Sequence, residues 1–299
     1  MKFTKMHGLG NDYVYVDGFT ERVIDAPHIA RAVSDRHRGV GGDGLIIVQP
    51  PSQPGFACRM EMYNADGSRA GMCGNGIRCV GKFALDRGLA KGPAFRVETD
   101  AGPRELRVVP GPERTGSGFT AETWIEVDMG APRLLRREIP LVDRESPDSQ
   151  AIGAAIESQG RSLRGTAVSM GNPHFVIRVA GREPFGAGLQ SLDLAALGPP
   201  LERHPVFPER SNIEFVEPRS PREINFRVWE RGSGETQACG TGACAAVVAG
   251  VLEGWCERSA TVHLLGGDLH IRWDEASGNV FMTGPAVEVF RGEIDIAGI

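Results

Sequence analysis

A weak internal duplication constrains the fold of this chain more than any other sequence feature. Short signals recur in the same order: a glycine turn that presents an asparagine before an apolar strand, an acidic-Arg-His triplet, an alternating strand and a Cys-Gly-x-Gly segment. The clearest matched pairs are Met6–Val16 and Met170–Val179, Asp35–His37 and Glu202–His204, and Cys73–Gly76 and Cys239–Gly242. The cysteines follow the histidines of the triplets by 36 and 35 residues, so the sequence predicts two copies of one module.

Each predicted copy combines strands with one helix that begins at its cysteine. Apolar and polar residues alternate in Cys58–Tyr63 and in Ile224–Trp229, which is typical of a strand. After each cysteine, apolar residues recur with helical periodicity. Both stretches meet a glycine 15 residues beyond the cysteine, Gly88 or Gly254, and glycine is the usual residue just past a helix end.

These patterns predict an α/β (α+β) fold of two modules related by a pseudo-twofold axis. Each module would be a mixed β-sheet or barrel wrapped around a central helix, with the active site in the cleft between the modules. The proline- and arginine-rich stretch Ala131–Pro140 is a natural linker, so we expect modules at residues 1–132 and 133–284. Residues 285–299 can fold back on either module, for example to complete the first.

Cys73 and Cys239 are the predicted catalytic residues. A helix start has unpaired backbone N–H groups and the positive end of the helix dipole, which lower the pKa of a thiol from about 8.5 and suit a carboxylate or oxyanion. Two thiols, one ionised and one protonated, can remove a proton from one face of a carbon and return one to the other face. The remaining cysteines lie outside glycine-rich turns, and we expect them to be buried core residues: Cys58, Cys79, Cys244 and Cys256.

Composition and charge exclude several partners. The net charge of −5 leaves no basic surplus to neutralise a phosphate backbone, so we expect no nucleic-acid partner. The longest small or apolar run, Ala243–Leu252, has about half the length needed to cross a bilayer, and the N-terminus lacks a hydrophobic signal core, so we expect no membrane association. Six cysteines without a Cys-x-x-Cys pair indicate free thiols in a reducing, cytoplasmic compartment.

The sequence favours chemistry without a cofactor or a metal. Gly39–Gly44 matches the dinucleotide pattern G-x-G-x-x-G, but it precedes the apolar strand Leu45–Val48 instead of following a strand and opening a helix, so we interpret it as a turn. No Cys or His residues have the close pairing of a zinc site. Pyridoxal phosphate needs a Schiff-base lysine, and none of the lysines at positions 2, 5, 82 and 91 lies in a recognisable site.

Over nearly its whole length the chain resembles the diaminopimelate epimerase family. The segments that carry the resemblance are Met6–Asp12, Asn64–Ser68, Met72–Arg78, Met170–His174, Pro208–Asn212 and Glu230–Gly242. The resemblance implies reversible conversion of LL-2,6-diaminopimelate to the meso isomer, in lysine and peptidoglycan precursor biosynthesis. It also implies that Cys73 and Cys239 are the thiol/thiolate pair, that no cofactor is used and that the protein is a homodimer.

The resemblance further implies roles for residues around the cysteines. Backbone N–H groups of Gly74, Asn75, Gly240 and Thr241 would hold the α-carboxylate of the reacting centre. The substrate's ammonium and carboxylate groups would be bound by Asn11, Asn64, Asn172, Asn212, Glu230 and Arg231. His174 and Glu230 would bias the protonation of the cysteines. Some family members carry glutamine in the site where this chain has Gly44, so we leave Gly44 out of the site.

The sequence leaves two alternatives open. One is a related isomerase on the same fold that acts on proline-like or other amino acids, which turnover of a monocarboxylic amino acid would indicate. The other is a non-enzymatic or redox role, in which Cys73 and Cys239 form a reversible disulfide. The sequence does not determine which cysteine is the resting thiolate.

Overall fold

The computed structural model describes residues 1–112, 122–179 and 188–296. Contacts within the chain divide it into two units. The first unit contains Met1–Asp128 and the segment from Thr283 onward, and the second contains Met129–Met282. The divisions therefore fall after residues 128 and 282, beside the boundaries at 132 and 284 that the sequence suggested, and the C-terminal segment belongs to the first unit.

The described residues form strands in both units and four helices. Strands β1–β8 are Lys2–Gly8, Asn11–Asp17, Gly44–Gln49, Cys58–Asn64, Arg69–Ala70, Ala94–Glu98, Arg104–Val109 and Glu122–Asp128. Strands β9–β17 are Ala154–Ser158, Arg161–Ser169, Pro173–Arg178, Asn212–Ser220, Glu223–Glu230, Gly234–Glu235, Ser259–Leu264, Gly267–Trp273 and Val280–Glu293. Helices α1–α4 are Ala26–Ser34, Gly74–Asp86, Leu194–Glu202 and Gly240–Leu252, and short 3₁₀ turns cover Arg136–Glu138 and Leu189–Ser191. None of these helices has the length and apolar character that a membrane crossing requires.

Eight strands of the first unit pair into a closed ring. From β1 the ring runs through β2, β3, β4, β6, β7 and β8, with parallel pairs at β2–β3 and β4–β6 and antiparallel pairs elsewhere along that run. Strand β17 pairs with β1 and with β8, which closes the ring. Closure removes the exposed strand edges that an open sheet would have.

Helix α2 is the centre of the first unit. All of its residues from Gly74 to Ala84 are buried, and it packs against β1, β2, β4 and β8, which surround it. Its one arginine, Arg78, is fully buried and donates to the carbonyl oxygens of Gly74 and Pro285 and to Oδ1 of Asn75 at 3.1–3.2 Å. A buried guanidinium needs such acceptors, and these bonds tie the first turn of α2 to the following turn and to β17.

The second unit repeats this order of pairings. Strand β10 pairs with β11, and the pairs then run through β12, β13, β15 and β16, with parallel pairs at β11–β12 and β13–β15. Strand β9 pairs with β10 on its other side. Helix α4 has small and apolar side chains around its whole circumference, which is typical of a helix buried on all sides. It packs against β10, β11, β12, β15 and β16.

The duplication and the fold class predicted from the sequence are confirmed. Helices α2 and α4 both have 13 residues, and α1 and α3 both have nine. Gly88 and Gly254 follow α2 and α4 with φ values of +68° and +78°, the left-handed conformation expected just past a helix end. The Gly39–Gly44 segment leads into β3, so it is a turn, as predicted, and not a dinucleotide-binding loop.

Gly44 is a glycine because the backbone of β4 lies too close for a side chain. It pairs with Asn64 in the β3–β4 register. A Cβ atom at this position would collide with the carbonyl oxygen of Tyr63 and would lie 2.8 Å from Cε1 of Tyr13. A side chain at position 44, including a glutamine, therefore does not fit this backbone.

We predict that Gly44→Ala destabilises the protein by about 1–3 kcal/mol, the usual range for forcing an extra methyl group into packed structure. Urea unfolding followed by circular dichroism measures the change. Gly92→Ala is the matched control, because a Cβ atom at Gly92 would meet nothing within 4 Å. Equal stability of the two variants would contradict the steric argument.

Candidate active site

Cys73 and Cys239 occupy the same position in the two units, the residue directly before a buried helix. Cys73 is the N-cap of α2 with extended φ and ψ values of −125° and 127°, and its Sγ accepts a hydrogen bond from the Gly76 amide at 3.4 Å. Cys239 is the N-cap of α4, with φ −120° and ψ 105°. Each thiol therefore lies at the positive end of a helix dipole, where the first amide groups have no partner within the helix.

Asn11 is the predicted site residue that the structure brings to Cys73. The Cys73 thiol donates to Oδ1 of Asn11 at 3.3 Å, and Nδ2 of Asn11 donates to Oδ2 of Asp43 at 2.7 Å. Asp43 also accepts from the Asp12 amide and from Arg36. Because a carboxylate only accepts, Asp43 fixes the Asn11 side chain with its amide oxygen towards the thiol. The sequence analysis did not identify Asp43 as a site residue, although Asp43 lies in the Gly39–Gly44 turn that it described.

Asn64 has a different partner. It ends β4, and its Nδ2 donates to the hydroxyl of Ser68 at 2.9 Å in the turn that follows. Gly74 and Asn75 are the first two residues of α2, and both are buried. Gly240 and Thr241 are the first two residues of α4; Gly240 is buried and Thr241 is partly exposed. The structure therefore places the backbone amides of all four residues in the first turn of a helix that follows a cysteine.

His174 lies in a chain of polar side chains in the second unit. Its Nδ1 is 2.6 Å from Oε1 of Glu214, and both side chains are fully buried. Its Nε2 is 3.0 Å from Oδ1 of Asn172. The sequence analysis predicted His174 and Asn172 but missed Glu214, even though a charged residue inside the apolar run Ile213–Val216 was a visible signal.

Asn212 and Arg231 are connected through the backbone. Asn212 is buried, and its Nδ2 donates to the carbonyl oxygen of Pro173 at 2.9 Å while its Oδ1 accepts from the Arg231 amide at 2.9 Å. The Arg231 guanidinium donates to the carbonyl oxygen of Glu209 at 2.9 Å. Glu202 accepts from the next amide, Gly232, at 3.1 Å. These bonds fix the turn that presents Arg231. Glu202, the last residue of α3, accepts from this turn, and the sequence analysis did not identify it as part of the site.

The surroundings of Cys239 disfavour its thiolate. Cys239 is only 4% exposed, and its Sγ lies 3.6 Å from the hydroxyl of Thr241. Burial raises the pKa of the Cys239 thiol well above its ordinary value, and the carboxylates of Glu230 and Glu214 raise it further. Hydrogen bonds from Thr241 and Gly242 oppose this rise without cancelling it. These surroundings therefore favour the thiol form of Cys239.

Glu230 is itself affected by burial. Desolvation raises the pKa of the Glu230 carboxyl, although hydrogen bonds from Thr236 and Cys239 and the nearby His174 act in the opposite direction. The hydroxyl of Thr236 donates to Oε1 of Glu230. Glu230 thus contacts the thiol that it was predicted to influence.

The other cysteines are buried, as predicted. Burial raises the pKa of Cys58 and Cys256 to about 12 and that of Cys79 to about 11, so these thiols are unreactive at neutral pH. Cys244 is fully buried inside α4. In residues 1–112, 122–179 and 188–296, no group of three or more His, Cys, Asp or Glu side chains is arranged to hold a metal ion.

Known proteins resemble this chain along its whole length. The family described as "Diaminopimelate epimerase" matches residues 3–135 and 166–289. The diaminopimelate epimerase of Acetivibrio thermocellus is 49% identical over 297 residues, 99% of each protein, and that of Pelotomaculum thermopropionicum is 50% identical over 297 residues, 98% of each. A solved phenazine biosynthesis protein of the PhzF family from Bacillus anthracis aligns with a TM-score of 0.65 at 18% identity over 99% of each chain. A probable proline racemase from Agrobacterium radiobacter K84 has a TM-score of 0.65 at 13% identity, covering 99% of this chain and 93% of the other, and these two structures establish the fold alone.

We predict that Cys239 reacts with iodoacetamide only at alkaline pH. In a Cys73→Ser variant, alkylation of Cys239 at pH 7 should be at least about tenfold slower than that of a free thiol, because one unit of pKa changes the thiolate fraction tenfold. Mass spectrometry of the peptide that contains Cys239, sampled across pH, measures the rate. Glu230→Gln should move the alkylation midpoint to lower pH, and a midpoint at the free-thiol value in the parent variant would refute the prediction.

Proposed function

The chain belongs to the diaminopimelate epimerase family, and we propose that it interconverts LL-2,6-diaminopimelate and meso-diaminopimelate by a two-base proton transfer between Cys73 and Cys239. The observation that carries this proposal is the repeated placement of a cysteine at the N-cap of a buried helix. Full-length identity of 45–50% to proteins named diaminopimelate epimerase supports the substrate. The chain is accordingly an isomerase.

The proposed reaction conserves atoms and electrons without an added reagent. The Cys73 thiolate removes the α-proton of the LL isomer, so an S–H bond forms while the C–H bond breaks. The electron pair of that bond delocalises into the α-carboxylate. The Cys239 thiol then donates its proton to the opposite face of the carbon, which inverts the centre and leaves Cys239 as the thiolate. The reverse direction exchanges the two roles.

Two helix N-termini suit the charge that develops on the α-carboxylate. We assign its binding to backbone N–H groups of Gly74, Asn75, Gly240 and Thr241. Preorganised amides that meet a developing negative charge stabilise the transition state, and removal of one such donor typically costs about 10²–10³ in rate. A cofactor is unnecessary in this scheme, because the carboxylate and the amides accept the charge.

The remaining predicted residues suit the polar ends of the substrate. Arg231 can hold a carboxylate through two parallel N–H bonds, and Glu230 can accept from an ammonium group. The amides of Asn11, Asn64, Asn172 and Asn212 can bind either group. His174 and Glu230 influence the protonation of Cys239, and the contacts between Glu230 and the Cys239 thiol support that role.

The setting of the enzyme is also part of the proposal. We place it in the cytoplasm, where free thiols persist, as a homodimer that supplies meso-diaminopimelate for lysine and peptidoglycan precursors. The second candidate function is isomerisation of proline-like amino acids on the same fold. The probable proline racemase has this fold at only 13% identity, whereas the named diaminopimelate epimerases are about half identical, so the first function is favoured.

Incubation of LL-diaminopimelate with the reduced protein in deuterium oxide tests the two-base reaction. We expect deuterium at the inverted α-carbon together with epimerisation, both followed by NMR without added cofactor. Cys73→Ala and Cys239→Ala should each lower epimerisation by about 10²–10⁴-fold, the usual contribution of a positioned acid or base. Cys256→Ala, which removes a buried thiol elsewhere, should retain activity, and absence of both exchange and epimerisation in the wild type would point to another substrate.

Substrate specificity gives a separate prediction. L-Lysine lacks the distal carboxylate, so it would leave the polar groups that bind this end unpaired, and kcat/KM should fall by about 10⁴-fold or more. Polarimetry or chiral chromatography measures racemisation of L-lysine and L-proline beside that of LL-diaminopimelate. Comparable turnover of either monocarboxylic amino acid would favour the second candidate function.

A further inference from the structure

The last residue of α3, Glu202, is a buried carboxylate outside the groups that the proposed reaction uses. Only 2% of it is exposed. It is also the first member of the Glu202–His204 triplet that repeats Asp35–His37, a motif that the proposed function does not involve. A carboxylate withdrawn from water needs hydrogen-bond donors, so its partners show what it holds.

Both oxygens of Glu202 accept from one short segment of the chain. Oε1 accepts from the Gly232 amide at 3.1 Å, and Oε2 accepts from Nε1 of Trp229 at 3.0 Å. Between these two donors lie Glu230 and Arg231, the two charged residues assigned to the substrate. The carboxylate therefore bridges the two ends of the segment that carries both side chains.

The chemistry of this bridge requires a carboxylate. A backbone N–H and an indole N–H can only donate, so the residue between them must offer two acceptor oxygens. A glutamine of the same shape has one acceptor oxygen, and its NH₂ group would face one of the two donors. The guanidinium of Arg210, which is more than half exposed, adds a positive charge 3.7 Å from Oε1 of Glu202. Two donors and a nearby cation thus favour glutamate at this position.

The segment from Trp229 to Gly232 is held by two elements of the second unit. Helix α3 lies so close to the Trp229 indole that a Cβ atom at Gly198 would collide with the ring. From β12, Oδ1 of the buried Asn212 side chain accepts from the Arg231 amide at 2.9 Å. The backbone is therefore anchored by α3 on either side of the two charged residues and by β12 at Arg231 itself.

The matching residue of the first unit, Asp35, has a different use. Its Oδ1 accepts from the amides of His37 and Arg38 at 2.8 and 2.9 Å, so it closes the loop in which it lies. The acidic residue of the triplet thus closes a local loop in one unit and reaches the segment that carries Arg231 in the other. This difference indicates a function that is particular to the second unit.

We propose that Glu202 is a positioning residue for substrate specificity, which holds the Trp229–Gly232 segment so that the Arg231 guanidinium meets the carboxylate at the non-reacting end of the substrate. The inference rests on the proposed function, in which Arg231 binds a substrate carboxylate. Glu202 itself does not touch the substrate. A bidentate bond between a guanidinium and a carboxylate needs both groups in one orientation, so a small displacement of this segment weakens the binding of a dicarboxylic substrate.

Hydrogen exchange in the protein alone tests the bridge. In Glu202→Gln only one of the two donors keeps an acceptor, so the Gly232 amide or the Trp229 indole N–H should exchange with deuterium about tenfold faster or more than in the parent protein. Nitrogen-15 NMR with glycine and tryptophan labels measures both rates, and unchanged exchange at both groups would overturn the proposal. The measurement needs no substrate, so it separates failure of the inference from failure of the proposed function, which the absence of wild-type epimerisation would reveal.

A double-substitution cycle tests the consequence for specificity. Glu202→Gln should lower kcat/KM for LL-diaminopimelate by about tenfold or more, because a small misplacement of a binding group away from the reacting atoms can cost this much. A lysine in place of Arg231 cannot form two parallel N–H bonds, so in the Arg231→Lys background the same substitution should change kcat/KM by less than about twofold. Equal losses in both backgrounds would show that Glu202 does not act through Arg231 and would overturn the proposal.

Trp229→Phe is a second variant for the case that Glu202→Gln fails to fold by circular dichroism. It removes the indole donor and leaves the carboxylate of Glu202, so one end of the bridge is lost. The loss of kcat/KM should again be large beside Arg231 and small in the Arg231→Lys background. Wild-type kcat/KM in Trp229→Phe would overturn the proposal.

Glu253→Gln is the matched control. Glu253 directly follows α4, and its carboxylate also accepts from an indole, Nε1 of Trp255 at 3.1 Å, and from the hydroxyl of Thr166 at 2.6 Å. The same substitution there should leave kcat/KM and the exchange rates of Gly232 and Trp229 unchanged. Equal effects of the two glutamine variants would show a general loss of stability and would also overturn the proposal.

Discussion

The burial of a central helix in each unit is the constraint on which the rest of the structure depends. A buried helix cannot rely on water for its first amide groups, so the residue before it and the turn that leads into it must satisfy them. Cys73 does this with sulfur, which accepts the Gly76 amide, and it thereby lies at the positive end of α2. The element that completes the core therefore also creates the position in which a thiol can ionise and an anion can bind.

The two units share a backbone plan and differ in the side chains around their cysteines. Cys73 meets a neutral amide, Asn11, whose orientation is fixed by Asp43. Cys239 lies near the carboxylates of Glu230 and Glu214, which disfavour its ionisation. In a two-base reaction one sulfur must carry the charge and the other the proton. The duplicated backbone supplies two equivalent positions, and in the proposed reaction the unequal surroundings favour Cys239 as the sulfur that holds the proton at rest.

Local patterns predicted much of this architecture, because periodicity, caps and turns depend on neighbouring residues. In that way the sequence predicted the duplication, both central helices and their terminal glycines. It also predicted the burial of Cys58, Cys79, Cys244 and Cys256. Contacts between distant strands were not. His174 and Glu214 are 40 residues apart and Asn11 and Asp43 are 32 apart, and only the register of the parallel pairs brings them together. The collision that excludes a side chain at Gly44 likewise depends on its register with β4.

The unequal cysteines have a consequence for turnover. A catalyst cannot change the equilibrium between substrate and product, so any cost of charging Cys239 in the forward direction must be recovered in the reverse direction. In the proposed reaction, Cys239 is a thiolate beside Glu230 and Glu214 after it protonates the substrate, and both carboxylates raise its proton affinity. Glu230 has the larger effect of the two carboxylates, so in this scheme it most strongly drives Cys239 back to its thiol form and restores the resting enzyme.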